Sequence, residues 1–117
     1  GDTRDLHSFP TRRSSDLGRL DRALESLVRT VELDPEHARA WYNLGLARNQ
    51  AGDIPGALDA LMRGERVDLR DPQIPYARAT ILLQQRRVPE ARQALEETLR
   101  RQPGFTAAAE LFEQLGR

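Results

Sequence analysis

Between Ala38 and Asp71 the apolar and polar positions follow the period of a helix, twice over. Trp41, Leu44, Gly45 and Arg48 fall at the i, i+3, i+4, i+7 spacing that places side chains on one helix face. Gly52-Asp53 interrupts that run, and glycine permits the turn there. Ala57, Leu58, Leu61 and Met62 then form the stripe of a second helix. The two stripes predict a pair of antiparallel helices packed across a tight turn.

The same unit recurs along the chain. Ala23, Ala57 and Ala91 are 34 residues apart, and so are Leu27, Leu61 and Leu95. Leu20, Ile54 and Val88 repeat in phase with them, one apolar residue opening each second helix. Pro55 and Pro89 keep the interval in the first turn of those helices, where no backbone donor is needed. Pro35 and Pro103 are two periods apart, with Leu69 where the middle proline would fall. One residue type at one spacing can arise by chance, whereas several classes in one phase point to a structural repeat.

Taken in order, residues 1–17 stand outside this pattern. They carry Pro10, Ser14 and Ser15, and Pro10 is expected to break a helix placed there. Residues 7–17 resemble the translation of a sequencing-adapter oligonucleotide, so His7 and Ser14 are given no functional role. Residues 18–37 read as the second half of a repeat, with Leu20, Ala23, Leu24, Leu27 and Val31 as its buried stripe. Asp34 is expected to cap the next helix with Pro35 in its first turn. Residues 38–71 and 72–105 read as full repeats, and 106–117 as a closing helix with Leu111, Phe112 and Leu115 inward. Glu110, Glu113 and Gln114 on its other side suit a helix that ends the stack and faces water.

The period and the pattern Trp41-x-x-Leu44-Gly45, then Ala57-x-x-x-Leu61, resemble the tetratricopeptide repeat from Gly18 to the C-terminus. The sequence departs from that family at Arg48, where Tyr is usual, and at Leu69, where Pro is usual. It departs further at Pro75 and Arg78, which stand where Trp41 and Leu44 stood. The resemblance implies an all-α, right-handed superhelical solenoid of antiparallel helix pairs whose first helices line a concave face. Carried over, that face comprises Arg39, Tyr42, Asn43, Leu46, Asn49 and Gln50, followed by Gln73, Tyr76, Thr80, Leu83 and Gln84. Two tyrosines among amides and aliphatics suit a short peptide or a helix of a partner protein. Asn43 matches an Asn that clamps a partner's C-terminal carboxylate in some members. The basic residues of such a clamp would fall on Gln73 and Ala77, so a clamp is not expected.

Composition narrows the function classes. With 18 basic and 18 acidic residues the net charge is zero, which favours neither nucleic acid nor an anionic membrane. Every basic residue is Arg; codon preference in a GC-rich bacterial genome explains that more simply than an anion site. Cysteine is absent, which removes disulfides and thiolate chemistry but leaves cytoplasm and periplasm both open. No apolar run reaches membrane-spanning length. The chain opens on Gly1 rather than Met and reads as a fragment or processed product.

Catalytic chemistry finds no foothold. His7 and His37 are too few for a metal cluster, no serine has a neighbouring base, and the Gly52–Gly56 turn lacks the Lys of a phosphate loop. Trp41, on an apolar stripe, reads as core rather than as a ligand platform. The expectation is a non-catalytic interaction scaffold without cofactors, binding a protein or peptide and neither nucleic acid nor membrane. The alternative is an accessory segment of a larger bacterial transferase or hydrolase. RNA binding in the manner of the pentatricopeptide repeats is disfavoured by the neutral charge and the period.

Overall fold

The computed structural model describes residues 8–116, with side chains from Leu17 onward. Among the described residues there are six helices and no strand: α1 (Ser8–Leu33), α2 (Ala38–Gln50), α3 (Ile54–Val67), α4 (Gln73–Gln84), α5 (Val88–Arg101) and α6 (Thr106–Leu115). Each helix packs on the next in sequence, and α2 also touches α4. That order of contacts is the quasi-one-dimensional arrangement of a solenoid, in which a helix pair buries its apolar face only by stacking on its neighbours. The chain is an all-α, tetratricopeptide-like helical solenoid.

The turns inside the pairs use the backbone conformation that their residues allow. Gly52 lies at φ 85°, in the left-handed region where glycine meets no Cβ penalty. One period later Arg86 takes the same role at φ 59° with a side chain attached. Asp53 Oδ1 accepts from the Gly56 amide at 3.0 Å and caps α3. The cap of α2 differs from expectation. His37 Nδ1 accepts from the Ala40 amide at 3.1 Å, whereas Asp34 Oδ1 accepts from the Glu36 amide and shapes the preceding turn. The helix starts only at Ala38, which leaves Pro35 in that turn and not in a first helical turn.

Close approach explains the small residues. A Cβ on Gly45 would lie 2.6 Å from Leu61 Cγ and 3.1 Å from the Ala57 carbonyl oxygen. Any side chain there would push α2 off α3. Trp41 is buried, donates from its indole nitrogen to the Pro35 carbonyl at 2.8 Å, and carries the Arg63 guanidinium 5.3 Å over its ring. Its polar handle is satisfied inside the fold, as the core assignment requires.

Three expectations about burial and helix extent are corrected. Met62 is 45% exposed; Gly64 takes the buried position, with Trp41 Cβ 3.2 Å from where its own Cβ would be. Ala23 is exposed and Leu20, Leu24 and Leu27 are only half-buried, so of the α1 stripe Val31 alone is fully covered. α1 packs chiefly on α2 and joins α3 only through the cluster of Val31 with Ala60 and Val67, whereas α3 and α5 each pack on two neighbouring helices. Finally, α1 begins at Ser8, ahead of Gly18. Pro10 falls in its first turn, where the missing amide hydrogen breaks no intrahelical bond. His7 lies outside the described residues.

Candidate functional site

The first helices of the two full pairs, α2 and α4, carry the residues expected to line the groove. On α2, Tyr42 is half-buried and packs on the cluster of Ala57, Leu61, Ile74, Ala77 and Ile81. The Arg39 guanidinium lies 5.3 Å over the Tyr42 ring and is otherwise exposed. Asn49 is half-buried. Asn43, Leu46 and Gln50 turn instead toward α1, where they line a groove of about 390 Å³ with Arg19, Leu20, Ala23, Leu27 and Ala47.

On α4, Gln73 and Gln84 are exposed, and the Gln73 amide donates to Asp71 Oδ1 at 2.9 Å. Tyr76 stacks on Phe105 with ring centroids 4.8 Å apart and planes tilted by 32°. Leu83 packs with Tyr76 against the core formed by α4, α5 and α6. Thr80 donates from its hydroxyl to the Ala77 carbonyl at 2.8 Å. The eleven residues therefore do not share one cavity: Tyr42 leans toward α4, Tyr76 and Leu83 toward Phe105, and Asn43, Leu46 and Gln50 toward α1. Phe105 escaped the sequence reading because it lies in a loop, outside any helical period.

A second polar constellation was not foreseen. Glu65 of α3 accepts two hydrogen bonds from Arg78 of α4, at 2.6 and 3.2 Å. Arg101 of α5 is 8% exposed and lies 3.9 Å from Glu65. It donates from Nε to Glu97 at 2.8 Å and from Nη1 to the carbonyls of Asp68 and Asp71 at 3.1 and 3.0 Å. Hydrogen bonds from Arg101 first and Arg100 second hold the Glu97 carboxyl below the ordinary glutamate pKa. Two carboxylates and two guanidinium groups here satisfy one another and the end of α3. The cluster clasps three helices and leaves no free charge for an anion. The signal was present in the sequence as three charged residues at positions that are apolar one period earlier.

Among the described residues no group of His, Asp and Glu is placed to hold a metal ion, and no helix is long and apolar enough to cross a membrane.

Residues 15–73 and 76–117 match the tetratricopeptide repeat family, and the chain belongs to that family. It is similar to the TPR repeat-containing protein PA0015 of Pseudomonas aeruginosa, with 47% identity over 49 residues. That match covers 42% of this chain and 47% of that protein, so the chain aligns with about half the length of this curated relative. Among solved structures, the Yersinia enterocolitica type III secretion chaperone SycD, in complex with a peptide of the translocator YopD, superposes with a TM-score of 0.79. The identity is 19%, over 97% of each chain, a likeness of fold. MamA superposes with a TM-score of 0.78 at 29% identity, over 86% of this chain and 59% of that one. The first TPR of Spaghetti (RPAP3), bound to an HSP90 peptide, gives 0.76 at 14% identity, over 90% and 83% of the two chains.

Proposed function

We propose that this chain is a protein-interaction scaffold, taking a short peptide or a helix of a partner along the face of α2 and α4 without catalysis by its own residues. One observation carries the reading. Tyr42 and Tyr76, one period apart, are held half-buried by the fold, Tyr42 beneath Arg39 and Tyr76 on Phe105, with exposed Gln73 and Gln84 alongside. Aromatic side chains fixed in place lose little entropy on binding, and neighbouring amides supply directional hydrogen bonds to a peptide backbone. Membership of the tetratricopeptide family and solved relatives that hold partner peptides support it.

The test is selection of a displayed random-peptide library on the chain, repeated with Arg39→Ala, Gln73→Ala and Gln84→Ala combined. These side chains are exposed, so the melting temperature should stay put while the selected peptides lose affinity. Binders that persist on the triple variant, or a library that yields none, would remove α2 and α4 as the binding face.

A further inference from the structure

The side chains on the face of α2 and α4 form an ordered row. On α2 the Arg39 guanidinium stands 5.3 Å over the Tyr42 ring. Tyr42 packs on the cluster that holds Ala77 and Ile81 of α4. One period on, Tyr76 of α4 stacks on Phe105 with ring centroids 4.8 Å apart, and Leu83 packs on the same core. Each tyrosine leans on the element ahead of it, so the row runs from Arg39 to Phe105.

The charge changes along the row. Arg63, Arg78, Arg87 and Arg100 each pair with a carboxylate. Arg39 is exposed, and among the described residues its side chain has only the Tyr42 ring as a partner. A guanidinium held over a ring is positioned without being neutralised and keeps its donors for a ligand. In the phase of Arg39, α4 carries the neutral Gln73 and α6 carries Ala107. The carboxylate of Asp71, ahead of α4, accepts from the Gln73 amide at 2.9 Å. In the phase of Tyr42 and Tyr76, α6 carries Glu110, which is exposed. The row is therefore cationic at α2, aromatic and apolar at α4, and anionic at α6.

From this we infer that the face selects a peptide of defined polarity, with an acidic side chain on Arg39 and a large apolar side chain against Tyr76 and Phe105. The inference rests on the reading of α2 and α4 as the binding face and adds the chemistry of the peptide. Neighbouring helices lie roughly 10 Å apart and an extended chain advances about 3.3 Å per residue, so the two side chains fall about three to five residues apart. A carboxylate brought to the other end of the row would meet the like charge of Glu110. The ion pair at Arg39 is exposed to water, so it sets selectivity and salt dependence, while apolar burial at the aromatic end supplies most of the affinity.

The probe is the displayed random-peptide library, selected in parallel on the parent chain and on Arg39→Glu. Parent binders should share Asp or Glu at one position and a large aliphatic or aromatic residue at another. Arg39 is exposed in the first turn of α2, where a carboxylate suits the helix dipole, so Arg39→Glu should melt as the parent does. On that variant the acidic position should turn to Lys or Arg. A resynthesised parent binder whose acidic residue is replaced by its amide should bind about threefold to fivefold more weakly at low salt, and less so at high salt. With benzoylphenylalanine at its apolar position, the same peptide should cross-link to Tyr76 or Phe105. Binders without a shared acidic residue, or an acidic preference that survives Arg39→Glu, would overturn the inference and leave the binding face standing. Cross-links to other residues would overturn it equally. Binders that ignore the combined Arg39, Gln73 and Gln84 change, or a library that yields none, would remove the binding face and the inference together.

Discussion

The two junctions between successive helix pairs lie one period apart and are built from opposite chemistry. At the first, Val31 of α1, Leu44 of α2 and Val67 of α3 close the contact in one apolar cluster. At the second, the residues 34 positions on are Glu65, Arg78 and Arg101, and they close it with ions. Leu44 is fully buried, whereas its counterpart Arg78 is 21% exposed and Glu65 12% exposed. Three substitutions that would each be ruinous alone are compatible together, because Glu65 pairs with Arg78 and Glu97 with Arg101, two carboxylates against two guanidinium groups. A repeat fold fixes where side chains meet and leaves open whether oil or charge meets there. One consequence is that the junctions cannot exchange partners: Leu44 set against Glu65, or Arg78 against Val31, would bury an uncompensated charge. The ionic layer thereby favours one order of stacking.

The largest effect should come from moving half of one junction into the other. Leu44→Arg sets a guanidinium against Val31 and should cost about 4 kcal/mol of unfolding free energy. Adding Val31→Glu supplies the partner, and the double-mutant cycle should show a favourable coupling of about 1–3 kcal/mol. Urea unfolding of the four chains measures both quantities. Zero coupling would mean that the two junctions are not geometrically equivalent.

The converse breaks the ionic junction. Glu65→Val removes the carboxylate shared by Arg78 and Arg101 and should cost about 3 kcal/mol, with Arg101 retaining Glu97 and two carbonyls. Glu65→Val, Arg78→Leu and Arg101→Val together rebuild the first junction's residues. That triple change should return the stability to within about 1 kcal/mol of the parent or above it. A triple variant no better than Glu65→Val alone would show that the carbonyl bonds of Arg101, rather than the charge balance, hold α5 in place.

These contrasts also mark how far the sequence was legible. The period, the buried Ala and Leu pairs of α3 and α5, and the Gly52 turn could be read directly, because each is a local requirement of helix packing or backbone geometry. Ala23 could not: it belongs to the same stripe as Ala57 and Ala91, but burial depends on a neighbouring helix that periodicity does not reveal. Gly18 makes the same point. It occupies the phase of Gly52 and Arg86, which turn the chain at positive φ, yet α1 runs straight through it. Of the expected groove, α2 and α4 could be chosen from the pattern, but the split of their side chains among three directions could not. That split depends on Phe105 and on what stands beside α1.

Acid should report on the ionic junction more gently. The Glu97 pKa is lowered by Arg101 and Arg100, so its contribution to stability is complete above the ordinary glutamate range. That contribution disappears as pH falls through the lowered value. Glu97→Gln should therefore be less stable than the parent at neutral pH, and the two should converge in strong acid. Denaturation midpoints across the acid range test this, and a gap that stays constant with pH would assign the loss to packing instead of charge.

The smallest effect sharpens the comparison of the two turns. Gly52 and Arg86 share the left-handed backbone, but only Arg86 carries a Cβ that crowds its own carbonyl there. Arg86→Gly removes that strain while adding freedom to the unfolded chain, and the two terms oppose each other. The strain is of order 1–2 kcal/mol and the added freedom somewhat less, so a gain of about 0.5 kcal/mol is expected. Arg86 is exposed and its amide bonds the Leu83 carbonyl at 3.0 Å, a bond that glycine keeps. Gly52→Ala should run the other way, losing about 1 kcal/mol, although no atom lies within 4 Å of the added Cβ. A loss at Gly52 without any steric contact would isolate backbone strain as its cause. Equal and negligible effects at the two sites would mean that the turns relax freely and that the left-handed geometry is a choice of the loop rather than a demand of the helix pair.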